Sequence, residues 1–373
     1  MLKSYKYRMY PTKKQEELFF KHFGASRFIY NWGLEQKIKT YEQDGKSILR
    51  FDLNKGITML KRNEEHEWLK DVNPQSLQGA TLNLDNAFTR FFREKKGFPK
   101  FKSRKNPVQS FSVPQNYVIN YKNNTVTLSK IGNVKTKLHR KLEEGKLKTA
   151  TVSKSSTGKF YISILLDDEK EAPNKFLFDE KVTIGIDVGI KEFAVLSNGE
   201  KVENPKYLRN SMKRLNVLQR RMSKKQKGSK NKNKARLALS LLHEKISKQR
   251  ADFQHKLSSK LISENQALAL ETLNVSGMLK NHCLSQAISD ASWSSFVAKL
   301  EYKAEWYGKT ILRIGQFEPS TKICNVCGHY KSDMTLAIRK WQCPDCNSNH
   351  DRDINAAINI KKFALDKQNL IEI

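Results

Sequence analysis

Long apolar runs are absent from these 373 residues. No stretch approaches the roughly 20 consecutive apolar residues of a bilayer-spanning helix, which argues against such a helix. Met1 to Tyr10 alternates polar and aromatic side chains, unlike a secretory leader, and this predicts a cytoplasmic protein. Acidic residues are scarce: 38 Asp and Glu stand against 69 Lys and Arg, a formal net charge of +31. That excess is spread along most of the chain, exceeds what solubility needs, and points to a polyanionic partner. Cysteine is scarcer still, with five residues, four of them clustered. Such usage fits a reducing compartment in which thiolates bind metal instead of pairing. The fifth, Cys283, reads as a partly buried small side chain.

The clustered four are Cys324, Cys327, Cys343 and Cys346, spaced C-N-V-C, fifteen residues, C-P-D-C. Two knuckles at this spacing make a tetrahedral zinc site, because each presents two thiolates from one tight turn and the ion joins them. Four thiolates leave no open coordination position, so this zinc is structural and the chemistry lies beside it. Seven residues after Cys346, Asp353 opens the run D-I-N-A-A-I-N-I. The ribbon therefore feeds a carboxylate into position.

In chain order, Tyr5, Tyr7 and Met9 share one parity of a half-buried first strand that ends at Pro11. Thr12 with Gln15 forms a capping box for a helix stopping at Gly24. A second helical run covers Arg27 to Gln36, and a third follows Asn73-Pro74, so 12–96 reads as a helical bundle. The stretch G-F-P-K-F-K-S-R-K sets Phe98 and Phe101 among cations; the rings either stack on bases or anchor a solvated linker. From Tyr117 to Leu166 short alternating runs predict a small antiparallel sheet or barrel, which the first strand joins, making the bundle an insertion. An acidic connector covers Asp167 to Phe178. Lys206 to Arg250 holds sixteen Lys or Arg and one acid, and predicts a helical hairpin whose basic tip, around Lys224 to Lys234, is mobile until nucleic acid binds it. An amphipathic helix from Ile288 to Tyr307, a strand from Thr310 to Ile314 and a last helix from Ile354 to Leu365 complete the chain.

Three acids stand out. Asp187 lies on the strand V-T-I-G-I-D-V, on the parity of Thr183 and Gly185, where small neighbours leave room for something to approach. Glu271 ends the apolar strand that starts at Ala267, and Asp353 starts the last helix. Converging at one edge of a mixed sheet, three carboxylates need cations, and oxygen ligands suit magnesium or manganese. Two such ions roughly 4 Å apart clamp the attacking and leaving oxygens of a phosphodiester, so a metal-dependent nuclease follows. Separate structural roles for the acids are the competing reading.

The set G-I-D-V-G-I, L-E-T-L-N-V, C-N-V-C, C-P-D-C and D-R-D-I-N-A-A-I-N-I, with R-F-I-Y-N-W-G-L and G-F-P-K-F-K-S-R, resembles the TnpB proteins of bacterial insertion sequences, relatives of the type V CRISPR effector nucleases. The resemblance covers essentially the whole chain. It implies an α/β multidomain protein: a RuvC-type, ribonuclease-H-like nuclease domain carrying the zinc ribbon, plus an oligonucleotide-binding-type barrel carrying an inserted helical recognition domain. The implied boundaries are 1–11 for the first barrel strand, 12–114 for the recognition domain, 115–177 for the rest of the barrel, 178–320 for the nuclease domain with its basic hairpin at 206–262, 321–347 for the ribbon, 348–365 for the final nuclease helix and 366–373 for a short tail. It implies an RNA-guided DNA endonuclease, one protein per guide RNA, acting in the cytoplasm at the nucleoid. The guide RNA would come from the element's end, with double-stranded target DNA read by base pairing next to a short adjacent motif. Carried over by motif, Asp187, Glu271 and Asp353 are the catalytic acids and magnesium ligands, with Asp351 as the fallback for Asp353. Competing functions are a nuclease-inactive guided repressor, which loss of an acid would mark, a zinc-ribbon DNA binder that needs no RNA, and a strand-joining transposase.

Overall fold

The computed structural model describes residues 1–335 and 337–371, with the side chains of 368–371 excepted. The chain forms two units, Met1–Lys170 and Glu171–Ile373. No helix among the described residues is long and apolar enough to cross a membrane.

The first unit opens with β1 (Leu2–Tyr10) and then α1 (Lys13–Asp44), α2 (Arg50–Leu60), a 3-10 segment (Glu64–Asp71) and α3 (Pro74–Arg93). Six strands follow: β2 (Gln109–Val113), β3 (Tyr117–Asn120), β4 (Thr125–Leu128), β5 (Gly132–Lys137), β6 (Lys146–Lys154) and β7 (Phe160–Asp167). All seven strands pair in one antiparallel sheet of order β2-β6-β7-β1-β5-β4-β3. The first strand thus sits at the sheet's centre, and the helices lie between it and the next strand in sequence. Period-2 patterning drives this: Tyr5, Tyr7 and Met9 are buried with Ile162, Ile164, Val134 and Val152. With β2 and β3 at its edges, the sheet is not closed by strand pairing among the described residues, unlike the barrel expected.

Helix α1 runs unbroken through Gly24, against the stop expected there. Its capping box at Thr12 and Gln15 is present, but its left-handed C-cap is Gly45. Glycine costs only ~1 kcal/mol in a helix interior, and buried Phe19, Phe23, Ile29 and Leu34 on the same helix outweigh it. The boundary between units falls at Lys170 and not at 177, because Asp168 is held by Lys3 at 3.1 Å and its N–H donates to the Met1 carbonyl at 3.0 Å, tying the end of β7 to β1.

The second unit is built on β8 (Thr183–Val188), β9 (Glu192–Leu196), β10 (Lys201–Glu203), α4 (Tyr207–Ser223), α5 (Lys230–Glu264), β11 (Ala267–Glu271), α6 (Val275–Met278), α7 (Ser285–Ala291), α8 (Trp293–Trp306), β12 (Thr310–Ile314), β13 (Lys340–Gln342), β14 (Asn349–Asp351) and α9 (Arg352–Ile371). The mixed sheet has the order β10-β9-β8-β11-β12, parallel between β8, β11 and β12 and antiparallel elsewhere. Ile184, Ile186, Leu268 and Leu270 face one core with Leu261 of α5 and Phe296 and Leu300 of α8. Ala267, Ala269, Leu312 and Ile314 face the other, with Ile360 and Ala364 of α9.

Gly185 explains how closely α9 docks. A Cβ there would lie 2.0 Å from the Ala357 carbonyl oxygen and 2.9 Å from Lys361 Cβ. What approaches the small face of β8 is therefore a helix backbone. Gly185→Ala should destabilise the second unit by about 3 kcal/mol, the upper end for overpacking, read as a fall in its denaturation midpoint; an unchanged midpoint would show that α9 tolerates a shift.

Three other expectations are corrected. The basic tip is shorter than the Lys224 to Lys234 expected, a turn over 224–229: Gly228 takes a positive φ of 86° and Ser229 caps α5, so Lys230 to Lys234 belong to the helix. The helix expected from Ile288 to Tyr307 is two helices, split where Ser292 adopts φ 57°. The last helix continues past Leu365 to Ile371, so little of the expected tail is left; residues 372–373 lie outside the described ones.

Candidate active site and metal centre

Parity carries the acids to one side of the sheet. Asp187 follows Thr183 and Gly185 on the α9 face of β8, and Glu271 follows Ala267 and Ala269 on the same face of β11. Leu270 pairs with Ile186, so the two carboxylates occupy the next position on adjacent parallel strands. Asp353 lies in the first turn of α9, the helix packed on that face.

Their electrostatics reflect this gathering. Burial, then the charges of Glu271 and Asp353, push the Asp187 carboxyl well above the usual carboxylate range, against the pull of Arg352 and Arg339. Burial also raises Glu271, opposed by the Ser320 hydroxyl, which donates to its Oε1 at 2.6 Å, while the charge of Glu318 adds to the rise. Asp353 is held by cations: Arg339 Nη1 donates to both its oxygens at 3.2 and 3.0 Å, and Arg352 Nε and Nη2 donate to Oδ1 at 3.0 and 2.8 Å. Among the described residues the compact cluster of metal-ligand atoms is that of the four ribbon cysteines, not the three acids. Hard oxygen donors carrying mutual repulsion nonetheless fit a divalent cation, which would relieve it.

Asp351 has a different task. Its Oδ1 accepts the N–H groups of Asp353 and Ile354 at 3.1 and 3.3 Å, capping α9, and its Oδ2 meets Lys201 Nζ at 2.5 Å. Burial opposes ionisation, but Lys201 and the two N–H groups outweigh it and hold the carboxyl below its usual range.

The ribbon sulfurs lie within 4.8 Å of one another, with Cys324 to Cys346 at 3.6 Å and Cys327 to Cys343 at 3.5 Å. Each knuckle closes on a left-handed residue, Gly328 at φ 81° and Asn347 at φ 59°. The Ser348 hydroxyl, 3.3 Å from Cys346 Sγ, and the Ser348 backbone draw the Cys346 thiol down to about 6, towards the thiolate a metal needs. Buried Trp341 packs at a tilt against the ring of His350, whose Nε2 lies 3.1 Å from Cys324 Sγ. Four such thiolates suit zinc. Cys283 is exposed, contrary to expectation; it sits in the connection between α6 and α7, its N–H bonded to the Asn281 side chain.

Sequence reasoning missed three groups here. Asn355 and Asn359, both 1% exposed, donate to the Ser320 and Ile323 carbonyls and so clamp the root of the ribbon onto α9. Two asparagines four residues apart in an apolar helix were the available signal. Arg339 and Ser320 left none, since their roles depend on partners distant in sequence. In the first unit, Phe98 packs edge-on against Phe88 and Phe91, as an anchor would, while Phe101 stays exposed. Beside that segment a cleft of about 220 Å³ is lined by Arg27, Lys102 and several serines and asparagines. Lys102 Nζ lies 3.8 Å from the Tyr30 ring centroid.

The fold has a counterpart among solved structures. It resembles the chain of a cryo-EM Cas12f1–sgRNA–target DNA complex with a TM-score of 0.60 at 15% identity, covering 97% of this chain and 98% of that one. Residues 168–282 match the family described as "Probable transposase", 293–360 the "Cas12f1-like, TNB domain" and 1–46 a "Helix-turn-helix domain", although 1–46 here is one strand and one continuous helix. A Streptomyces pristinaespiralis protein named "Putative RNA-guided DNA endonuclease" is 37% identical over 96% of this chain and 88% of its own length. The Escherichia coli K12 "Putative RNA-guided DNA endonuclease InsQ" is 30% identical over 96% and 91%. The chain belongs to the TnpB family of insertion-sequence proteins.

Proposed function

We propose that this protein is an RNA-guided DNA endonuclease of a transposable element, which cuts target DNA beside a short adjacent motif. The observation that carries this reading is the gathering of Asp187, Glu271 and Asp353 on the α9 side of the second unit's sheet. We read that sheet as a RuvC-type nuclease domain and the first unit as an oligonucleotide-binding-type sheet with an inserted helical recognition region. The three acids would hold magnesium or manganese, and the ribbon cysteines zinc. Divalent ions bound there supply charge to the attacking and leaving oxygens of the scissile phosphodiester. The protein's own part is positional: β8 and β11 fix two acids, the Asp351 cap and the asparagine clamp fix α9, and Arg339 and Arg352 hold Asp353. A net charge of +31 holds the polyanionic guide and target.

The test is to express the protein with its element's end sequence and sequence the RNA that copurifies. The expected RNA derives from that end, and with it the protein cleaves a plasmid bearing the matching target only beside one short motif. Tight binding of a single duplex sequence by protein that carries no RNA would replace this reading with the RNA-independent zinc-ribbon binder.

A further inference from the structure

Ser320 belongs to none of the chain's motifs, yet it joins the acid cluster of the second unit to the ribbon. It is 3% exposed, and its hydroxyl donates to Glu271 Oε1 at 2.6 Å. Among the described residues it is the one hydrogen-bond donor to that carboxylate.

The donor is itself held. The Ser320 carbonyl accepts from Asn359 Nδ2 at 2.8 Å and from Asn355 Nδ2 at 3.5 Å, while the Ile323 carbonyl accepts from the same two groups at 2.6 and 2.8 Å. Asn355 Oδ1 in turn accepts the Asn325 N–H at 3.0 Å. Both asparagines are buried, so each lost bond leaves a polar group without water. The segment 320–325 is thus pinned to α9 at several points, with the hydroxyl aimed at Glu271 at one end and the Cys324 thiol at the other.

We propose that Ser320 is the positioning residue for Glu271, holding its carboxylate ready for a divalent ion from a segment shared with the first zinc knuckle. The proposal rests on the nuclease reading above. Outer partners of metal-binding carboxylates typically contribute about 10- to 100-fold in metal affinity or activity.

The test compares the parent with Ser320→Ala and Ser320→Thr. Manganese(II) bound to the RNA-free protein is measured by electron paramagnetic resonance, and the magnesium concentration for half-maximal cleavage is measured on the guide-loaded complex. Ser320→Ala should raise that concentration by roughly 10-fold or more and weaken manganese binding to match. Its target binding should stay at the parent value and its melting temperature should fall only by what one lost buried hydrogen bond costs, while Ser320→Thr, which keeps the hydroxyl, should recover most of the loss in metal dependence. Parent-like metal dependence in Ser320→Ala, or equal impairment in both variants, overturns the proposal. If instead the parent itself fails to cleave and Asp187→Ala leaves bound manganese unchanged, the nuclease reading falls and the proposal falls with it.

Discussion

Asp187→Asn should leave the guide-loaded complex on its target and lower cleavage by ~10³-fold, the upper range for removing one group that stabilises developing charge. In the metal-free protein the same substitution should raise the melting temperature. Both effects have one cause. Burial and the charges of Glu271 and Asp353 keep Asp187 protonated to higher pH when folded than when unfolded. The folded state therefore binds the extra proton between the ordinary carboxylate pKa and the raised one, and stability falls as pH rises through that window. A neutral amide of the same shape removes that loss and, with it, an anionic ligand. Divalent ions should stabilise the parent and not the variant. Glu271→Ala and Asp353→Ala should lose cleavage similarly, whereas Asp351→Asn, which keeps a capping oxygen and gives up only the half-exposed pair with Lys201, should cost at most ~1 kcal/mol of stability and cleave within a few-fold of the parent. Full cutting by Asp187→Asn, with binding intact, would remove Asp187 from the site.

The contrast between Asp351 and Asp353 shows how far the sequence could be read. Strand faces were legible because a period of two leaves no choice once one parity is apolar: Tyr5, Tyr7 and Met9 are buried together, and Gly185 and Asp187 share a face. The thiolate spacing was legible because a knuckle is local. Two acids two residues apart at a helix start differ only in whether the carboxylate turns back to the free N–H groups, and that is decided by the turn itself. Gly24 misled because burial along α1 came from strands and helices far off in sequence, and Arg339 carried no signal because its partner Asp353 enters from another element. The small face of β8 was recognised as open to approach, but periodicity could not say that a helix backbone fills it.

Cys343→Ser should release the zinc and lower the melting temperature more than any other single change in the ribbon. Cys343 is fully buried beside Trp341 and Cys324, so loss of its thiolate takes the ion and the ribbon's small core together. Zinc in such sites is worth about 10–16 kcal/mol in isolated fingers. Here part of that stabilisation is already supplied by the asparagine clamp on α9, so the unfolding should be local: residues 324–351 become sensitive to protease while the first unit's sheet stays protected. Cleavage should fall as well, because Arg339 reaches Asp353 from the ribbon and the Arg352 N–H donates to the Arg339 carbonyl at 2.8 Å. A strong chelator should reproduce the effect in the parent, and Cys283→Ser, which alters an exposed thiol between α6 and α7, should leave zinc content and melting unchanged. Equal zinc content and an equal melting curve in Cys343→Ser would sink the metal assignment. A released zinc with undiminished cleavage would instead separate the ribbon from the placement of Asp353.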